Sequence, residues 1–149
     1  GHAGSETEFD IFQPIARAEW DTLLFFYGVV ASVGGLGFLG YLGLASDVMY
    51  NQWGATNANI AVGLLSAIID NIPVMFAVLT MLPEMSEGQW LLVTLTAGVG
   101  GSMLSIGSAA GVAAMGLEKI DFIWYLKKIS WLAIIGYLCG AATYILIYA

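Results

Sequence analysis

The longest uncharged stretch of the chain limits its fold more than any other feature. Residues 22–45 contain no Asp, Glu, Lys or Arg across 24 positions. As an α-helix this stretch would be about 36 Å long, which exceeds the roughly 30 Å hydrocarbon core of a bilayer. Residues 129–149 repeat the pattern at the other end of the chain. Both stretches therefore predict membrane-spanning helices.

The composition agrees with an all-α integral membrane protein. Of 149 residues, 59% are hydrophobic and 10% are charged, whereas an average soluble domain is about 25% charged. The net charge of −7 includes no basic tract, so nucleic acid is not an expected partner. No nucleophile–base pair or cluster of metal ligands is apparent, so we expect neither an enzyme nor a cofactor.

The predicted organisation has two parts. Residues 1–21 form a polar lead and an amphipathic interfacial helix, and residues 22–149 form the transmembrane part of the chain. The predicted elements of this part are a span at 22–45, a hairpin at 57–82, a broken helix at 89–116 and a last span at 129–149.

The two middle segments are apolar but interrupted. Asp70-Asn71-Ile72-Pro73 stands in the middle of residues 57–82, and glycine clusters beginning at Gly98 and Gly107 interrupt residues 89–116. Proline and clustered glycines break helices. Backbone freed in this way persists at membrane depth only when it is buried in protein or lines a watery cavity. Both interruptions are therefore predicted to be buried in protein or to line a watery cavity.

The basic residues favour a hairpin over a crossing for residues 57–82. Each half of this segment has about 10 residues, or about 15 Å, which is half a bilayer. If the segment enters and leaves on one side, all four basic residues of the chain fall together on the opposite side. They are Arg17, Lys119, Lys127 and Lys128. We therefore predict a re-entrant helical hairpin followed by a broken transmembrane helix.

Asp70 is the main candidate for chemistry in the hairpin. An ionisable side chain at mid-membrane depth costs at least ~2.5–3.5 kcal/mol and is a functional candidate by default. Ser66 lies one helical turn earlier, and Asn71 adds a further oxygen. Such oxygen ligands suit a hard cation. A carboxyl group that holds either a proton or a cation is the minimum chemistry of an antiporter, and capping of the next half-helix is a compatible second role.

The second set of candidates lies in the stretch GVGGSMLSIGSAAG, residues 98–111. Ser102, Ser105 and Ser108 recur at a spacing of three, so they would share one face if this stretch were helical. Cation binding and packing remain alternative roles for these serines. The backbone candidates of the broken helix are Gly98, Gly100, Gly101 and Gly107.

Two motifs carry a resemblance to a known family. SAIIDNIPVMFAVLTM (66–81) and GVGGSMLSIGSAAGVAAMG (98–116) closely resemble stretches of the NhaD-type sodium/proton antiporters. These belong to the ion transporter superfamily, together with arsenite and dicarboxylate carriers, and the likeness extends from about residue 9 onwards. The resemblance implies a fold of two inverted repeats, each with a re-entrant hairpin and a broken helix, of which this chain resembles the C-terminal one.

The resemblance also implies a function. The expected activity is exchange of Na⁺ or Li⁺ for H⁺ by a multi-pass protein of the bacterial cytoplasmic (inner) membrane, with no cofactor and no metal beyond the transported cation. The polar residues of the family motifs correspond here to Ser66, Asn71, Ser105 and Ser108, with Asp70 beside them at the hairpin tip. The expected partners are the lipid bilayer, the missing N-terminal repeat of the same transporter and, as an alternative, a second copy in a homodimer.

Two other functions remain open at this point. The first is an anion carrier of the arsenite or dicarboxylate type, against which Asp70 argues because a carboxylate repels an anion. The second is a non-transporting membrane subunit that packs through its glycine-rich faces.

Overall fold

The computed structural model describes Ile15 and residues 20–148, and all regular structure within them is helical. Most of the predicted polar lead and interfacial helix at 1–21 lies outside the described residues. The helices are α1 (Trp20–Phe38), α2 (Tyr41–Ser46) with a wider π-type turn (Asp47–Gln52), α3 (Ala55–Ser66), α4 (Asn71–Met81), α5 (Glu87–Gly100), α6 (Ala109–Glu118), α7 (Phe122–Lys128) and α8 (Ser130–Tyr148).

Among the described residues, α1 and α8 are the two helices long and apolar enough to cross a membrane. Each has 19 residues and so is about 28 Å long. The predicted first span extends beyond α1, because the chain turns at Gly40, where φ is 85°. Glycine adopts this left-handed conformation without a steric penalty. The short helix α2 then follows in place of the last turns of the predicted span.

The chain reverses direction between α3 and α4. Asn59 Nδ2 on α3 lies 3.7 Å from Met85 Sδ and donates to the Gln89 carbonyl oxygen at 2.9 Å. In one continuous straight helix, the 26 residues between Asn59 and Met85 would span about 39 Å. Helix α4 therefore returns to the end from which α3 began. This is the shape predicted for residues 57–82, whereas its membrane topology stays a prediction.

Helices α3 and α5 run parallel in close contact and form the centre of the structure. Gln89 faces Asn59 near the start of both helices, and Ser66 Oγ donates to the Ala97 carbonyl oxygen at 2.6 Å near their ends. Between these points, a Cβ on Gly63 would lie 2.6 Å from Thr96 Cβ. Only glycine allows the two helices to approach so closely at this level.

Helix α8 packs antiparallel against this pair through two tyrosine hydroxyls. Tyr137 donates to the Ile60 carbonyl oxygen on α3 at 2.7 Å, and Tyr144 donates to the Gly88 carbonyl oxygen on α5 at 2.8 Å. Tyr137 is almost completely buried. The last span is therefore fixed to the central pair by hydrogen bonds as well as by apolar contacts.

The interruption of the broken helix differs in position from the sequence-based expectation. Gly98 and Gly100 lie inside α5, and the irregular backbone begins at Gly101 and ends at Ser108. The interruption predicted at residues 98–102 begins at Gly101, because packing of Gly100 against Gly63 holds the last turn of α5 despite its low helix propensity. Lys127 and Lys128 end α7, and the last span begins at Ser130.

Candidate functional site

The interruption between α3 and α4 meets the interruption between α5 and α6. The Asn71 N–H donates to the Gly107 carbonyl oxygen at 3.2 Å. A Cβ on Gly107 would collide with the Ser66 carbonyl oxygen and would lie 2.7 Å from that of Ala67. The two non-helical segments are therefore in direct backbone contact, and only glycine at position 107 permits it.

The end of α3 presents free carbonyl oxygens at this junction. No described residue donates a hydrogen bond to the carbonyl oxygens of Ser66 and Ala67. The C-terminus of a helix carries a partial negative charge because its last carbonyls lack intrahelical partners. Within the described residues, these two oxygens therefore keep their acceptor capacity, with Gly107 packed against them.

Asp70 lies at the N-terminus of α4, at the tip of the hairpin. Its Oδ1 accepts from the Ile72 N–H at 3.5 Å, which is long for a hydrogen bond. The side chain is half-buried, and it forms no ion pair within the part of the chain that the structure describes. The capping role anticipated from the sequence is thus present but weak, and the carboxylate retains acceptor capacity for another partner.

Ser66 and Ser105 are both fully buried. Because the Ser66 hydroxyl uses its hydrogen to bond Ala97, its oxygen lone pairs remain free. Ser105 has a left-handed backbone with φ of 57°, which is uncommon for a residue other than glycine. Its hydroxyl contacts the sulfur of Met115 on α6. The Ser105 side chain therefore connects the interruption to α6, the helix that follows it.

Ser108 begins α6 and caps it. Its Oγ accepts from the Gly111 N–H at 3.0 Å, a common arrangement for serine at a helix start. The condition for a common face of the three serines is not met, because the segment from Gly101 to Ser108 is not helical. Ser102 is exposed, whereas Ser105 is buried.

The structure thus brings some of the predicted site residues together and separates others. Those in contact at the junction are Ser66, Asn71 and Gly107, with Asp70 adjacent in the chain and Gly101 packed against Gly107. Gly100 packs against Gly63 and has a structural role. Gly98 has nothing within 4 Å of its virtual Cβ and borders an open groove of about 380 Å³ that Asn71 also lines.

A buried polar network at the open end of the hairpin was not anticipated from the sequence. Asn59 accepts from the Tyr50 hydroxyl at 3.2 Å and donates to Gln89, whose side-chain amide donates to Thr56 at 2.9 Å. Tyr50 lies in the turn before the hairpin, and burial raises its pKa to about 12, so the hydroxyl stays protonated and can donate. The available signal was the presence of Asn59 and Gln89 within otherwise apolar runs.

Comparison with known proteins identifies the class of the chain. Residues 10–98 match the sequence model of the citrate transporter family. The chain belongs to this family. Its sequence is of the NhaD type: it is 60% identical over 144 residues to the Na⁺/H⁺ antiporter NhaD of Alkalimonas amylolytica and 64% identical over 133 residues to that of Vibrio parahaemolyticus. It is also 42% identical over 144 residues to sodium/proton antiporter 1 of Arabidopsis thaliana.

These matches cover most of this chain but a minor part of each relative. The first two cover 95% and 89% of the chain and 30% and 32% of the relatives, and the Arabidopsis match covers 91% and 24%. The chain therefore spans about a third or less of the length of the curated relatives it matches. No solved structure matches it. The resemblance found in the two motifs is confirmed, and the relatives are membrane transporters.

Within the described residues, no three His, Cys, Asp or Glu side chains could hold a metal ion together.

Proposed function

We propose that this chain forms part of the cation site of an antiporter that exchanges Na⁺ or Li⁺ for H⁺. The observation that carries the proposal is the contact between the two interruptions through Asn71 and Gly107. It places the free carbonyl oxygens of α3 next to a tip that carries Asp70. The two relatives that match most of this chain are named Na⁺/H⁺ antiporters.

The chemistry follows from the types of oxygen at the junction. Backbone carbonyls, a serine hydroxyl and a carboxylate are the ligands that a hard cation prefers. A cation bound beside Asp70 favours the ionised carboxylate, and a proton on the carboxyl group removes the negative charge that holds the cation. Alternate occupation by a cation and a proton is what exchange requires. Ser105 and Ser108 support the site by shaping the second interruption and starting α6.

We propose further that α3 and α4 form a re-entrant hairpin in a multi-pass protein of the bacterial inner membrane. With 12 and 11 residues, these helices are about 18 and 16 Å long, too short to cross a bilayer. Both ends of the hairpin meet at Asn59 and Met85. Cysteines at positions 46 and 87, introduced on a Cys139→Ser background, should react with an impermeant maleimide from the same side. Reaction from opposite sides would overturn the hairpin.

The exposed apolar surface supports further partners. Large side chains such as Phe38 on α1 and Leu146 on α8 are 92% and 85% exposed. An apolar surface of this kind requires lipid or another protein surface. The bilayer would cover part of this surface. The N-terminal repeat of the same transporter, inverted relative to this chain, would cover the rest. A homodimer is the alternative cover for the same faces.

The decisive experiment measures cation-driven proton movement in inverted vesicles. It compares the chain alone with a graft in which this chain replaces the matching segment of the full-length antiporter of Alkalimonas amylolytica. Asp70→Asn in the graft should abolish Na⁺-driven exchange, because a neutral amide cannot alternate between a proton and a cation. Asp47→Asn is the matched control, since the Asp47 side chain is exposed and, among the described residues, bonds only to Asn51. Unchanged exchange in Asp70→Asn at every pH would contradict the proposal.

An anion carrier is a second candidate, because the matching family model describes citrate transporters. Asp70 and Ser108 cap the N-termini of α4 and α6, which lie beside the two interruptions. Helix N-termini favour negative charge. The Asp70 carboxylate opposes an anion there. Uptake of radiolabelled citrate or arsenite by the graft, without Na⁺-driven exchange, would favour this candidate. Neither activity in a correctly inserted graft would favour a non-transporting subunit.

A further inference from the structure

We infer that Tyr125 is a positioning residue for the cation site, an inference that rests on the proposed function. Its hydroxyl donates to the Ser102 carbonyl oxygen at 2.7 Å. Ser102 lies in the irregular segment between α5 and α6, and Tyr125 lies on α7, 23 residues further along the chain. The bond therefore ties the interruption to an element outside the two central helices.

The Tyr125 bond fixes one end of the interruption, and the hairpin tip fixes the other. At the first end, the Ser102 N–H and the Ser102 hydroxyl both bond to the Val99 carbonyl oxygen, at 3.1 and 2.6 Å. The Ser102 carbonyl points away from these bonds and takes the Tyr125 hydroxyl. At the second end, the Gly107 carbonyl takes the Asn71 N–H. The backbone between these two anchors includes Ser105, with its left-handed conformation.

Helix α6 does little to hold this region, where Met103 packs with Ala67 and Tyr137 and the Tyr125 hydroxyl adds a hydrogen bond. Helix α6 contributes no buried residue. Its contacts with the interruption are those of Gly111 and Met115 with Ser105. The Tyr125 bond joins the two ends of the segment from Ser102 to Tyr125, which contains α6. Without it, the segment from Gly101 to Ser108 has greater freedom, and the carbonyls that face the hairpin tip lose their fixed orientation.

The structure offers two matched controls. Tyr137 and Tyr144 also donate their hydroxyls to backbone carbonyls, at 2.7 and 2.8 Å. Their acceptors, Ile60 and Gly88, belong to helices α3 and α5 and do not lie in an interruption. Removal of any of the three hydroxyls deletes one hydrogen bond of similar length. Only the bond from Tyr125 orients the backbone of the proposed site.

The test compares Tyr125→Phe, Tyr137→Phe and Tyr144→Phe in the full-length graft. Na⁺-driven proton exchange is measured over a range of Na⁺ concentrations, and the melting temperature is measured in detergent. Tyr125→Phe should raise the half-saturating Na⁺ concentration about 3- to 10-fold, the range that corresponds to one lost hydrogen bond. The two control variants should keep that concentration within about twofold while lowering the melting temperature.

Two outcomes would overturn the inference: an unchanged half-saturating concentration in Tyr125→Phe, or an equal increase in all three variants. If Tyr125→Phe does not give folded protein, 4-fluorophenylalanine at position 125 fills the space of the hydroxyl without donating, and the same comparison applies. Absence of Na⁺-driven exchange in the unmodified graft would contradict the proposed function itself. Exchange in the unmodified graft with normal Na⁺ dependence in Tyr125→Phe would contradict only the positioning role.

Discussion

The two halves of the hairpin are held in different ways. Helix α3 buries five residues, two of them the polar Asn59 and Ser66, and bonds through side chains to both α5 and α8. Helix α4 buries only Val74 and Val78. Among the described residues, no α4 side chain hydrogen-bonds to another helix. A cavity of about 170 Å³ is lined by both α4 and α3, and the larger groove is lined by both α4 and α5.

This difference separates most of the stabilising contacts of the hairpin from its candidate carboxylate, Asp70. In a membrane, lipid is as apolar as leucine, so close packing of small residues and interhelical hydrogen bonds hold helices together. Helix α3 has both, through Gly63 and through its polar side chains. The tip of α4 carries Asp70 and Asn71 but is joined to the second interruption by one backbone bond. Most residues that stabilise the hairpin and the titratable residue of the proposed site are therefore on different halves.

The strongest test of the fixed half is Gly100→Ala. A Cβ at this position would collide with the Gly63 carbonyl oxygen, and neither backbone can move without separating α3 from α5. We expect a loss of about 3 kcal/mol in the free energy of unfolding, at the upper end for overpacking, visible as a lower melting temperature of the graft in detergent. Gly98→Ala is the control, because that position is open. Equal melting temperatures for the two variants would contradict the proposed packing.

Asn59→Ala tests the polar network of the same half. This change leaves the Tyr50 hydroxyl and the Gln89 groups without their buried partner. An unsatisfied buried polar group costs about 1–3 kcal/mol, so we expect a loss in that range. Tyr50→Phe removes only one bond from the same network and should cost about 1 kcal/mol. Chemical denaturation of the graft, followed by tryptophan fluorescence, measures both losses in the free energy of unfolding. A larger loss for Tyr50→Phe than for Asn59→Ala would contradict the central position of Asn59 in the network.

The smallest effect is expected for enlargement of a side chain on the loosely packed half. Ala77 lines the cavity between α3 and α4, so Ala77→Leu should be neutral or stabilise by up to about 1 kcal/mol. Ala97→Leu, at a fully buried position between α3 and α5, should destabilise by about 1–3 kcal/mol. Thermal unfolding of both variants measures the contrast. Similar destabilisation by both would show that α4 is packed as tightly as α3.

Much of the fold could be predicted from local features of the sequence. The uncharged runs predicted the two long helices, and Asp70 to Pro73 marked the reversal between α3 and α4 because proline and a capping carboxylate interrupt a helix locally. The position of the second interruption was less predictable. Gly98 and Gly101 are equally poor helix formers, yet α5 continues through Gly98 to Gly100, which packs against Gly63 of α3.

The sequence by itself therefore determined the membrane class, the two interruptions, the candidate carboxylate at Asp70 and the family. The tertiary structure alone decided which interruption touches which, that Ser105 is buried while Ser102 is exposed, and that Tyr125 and Tyr137 bond to backbone carbonyls. The reason is the range of the forces. Hydrophobicity and helix propensity act on neighbouring residues, whereas the Tyr137 hydroxyl meets a carbonyl 77 residues away, a pairing that exists only after the helices have packed.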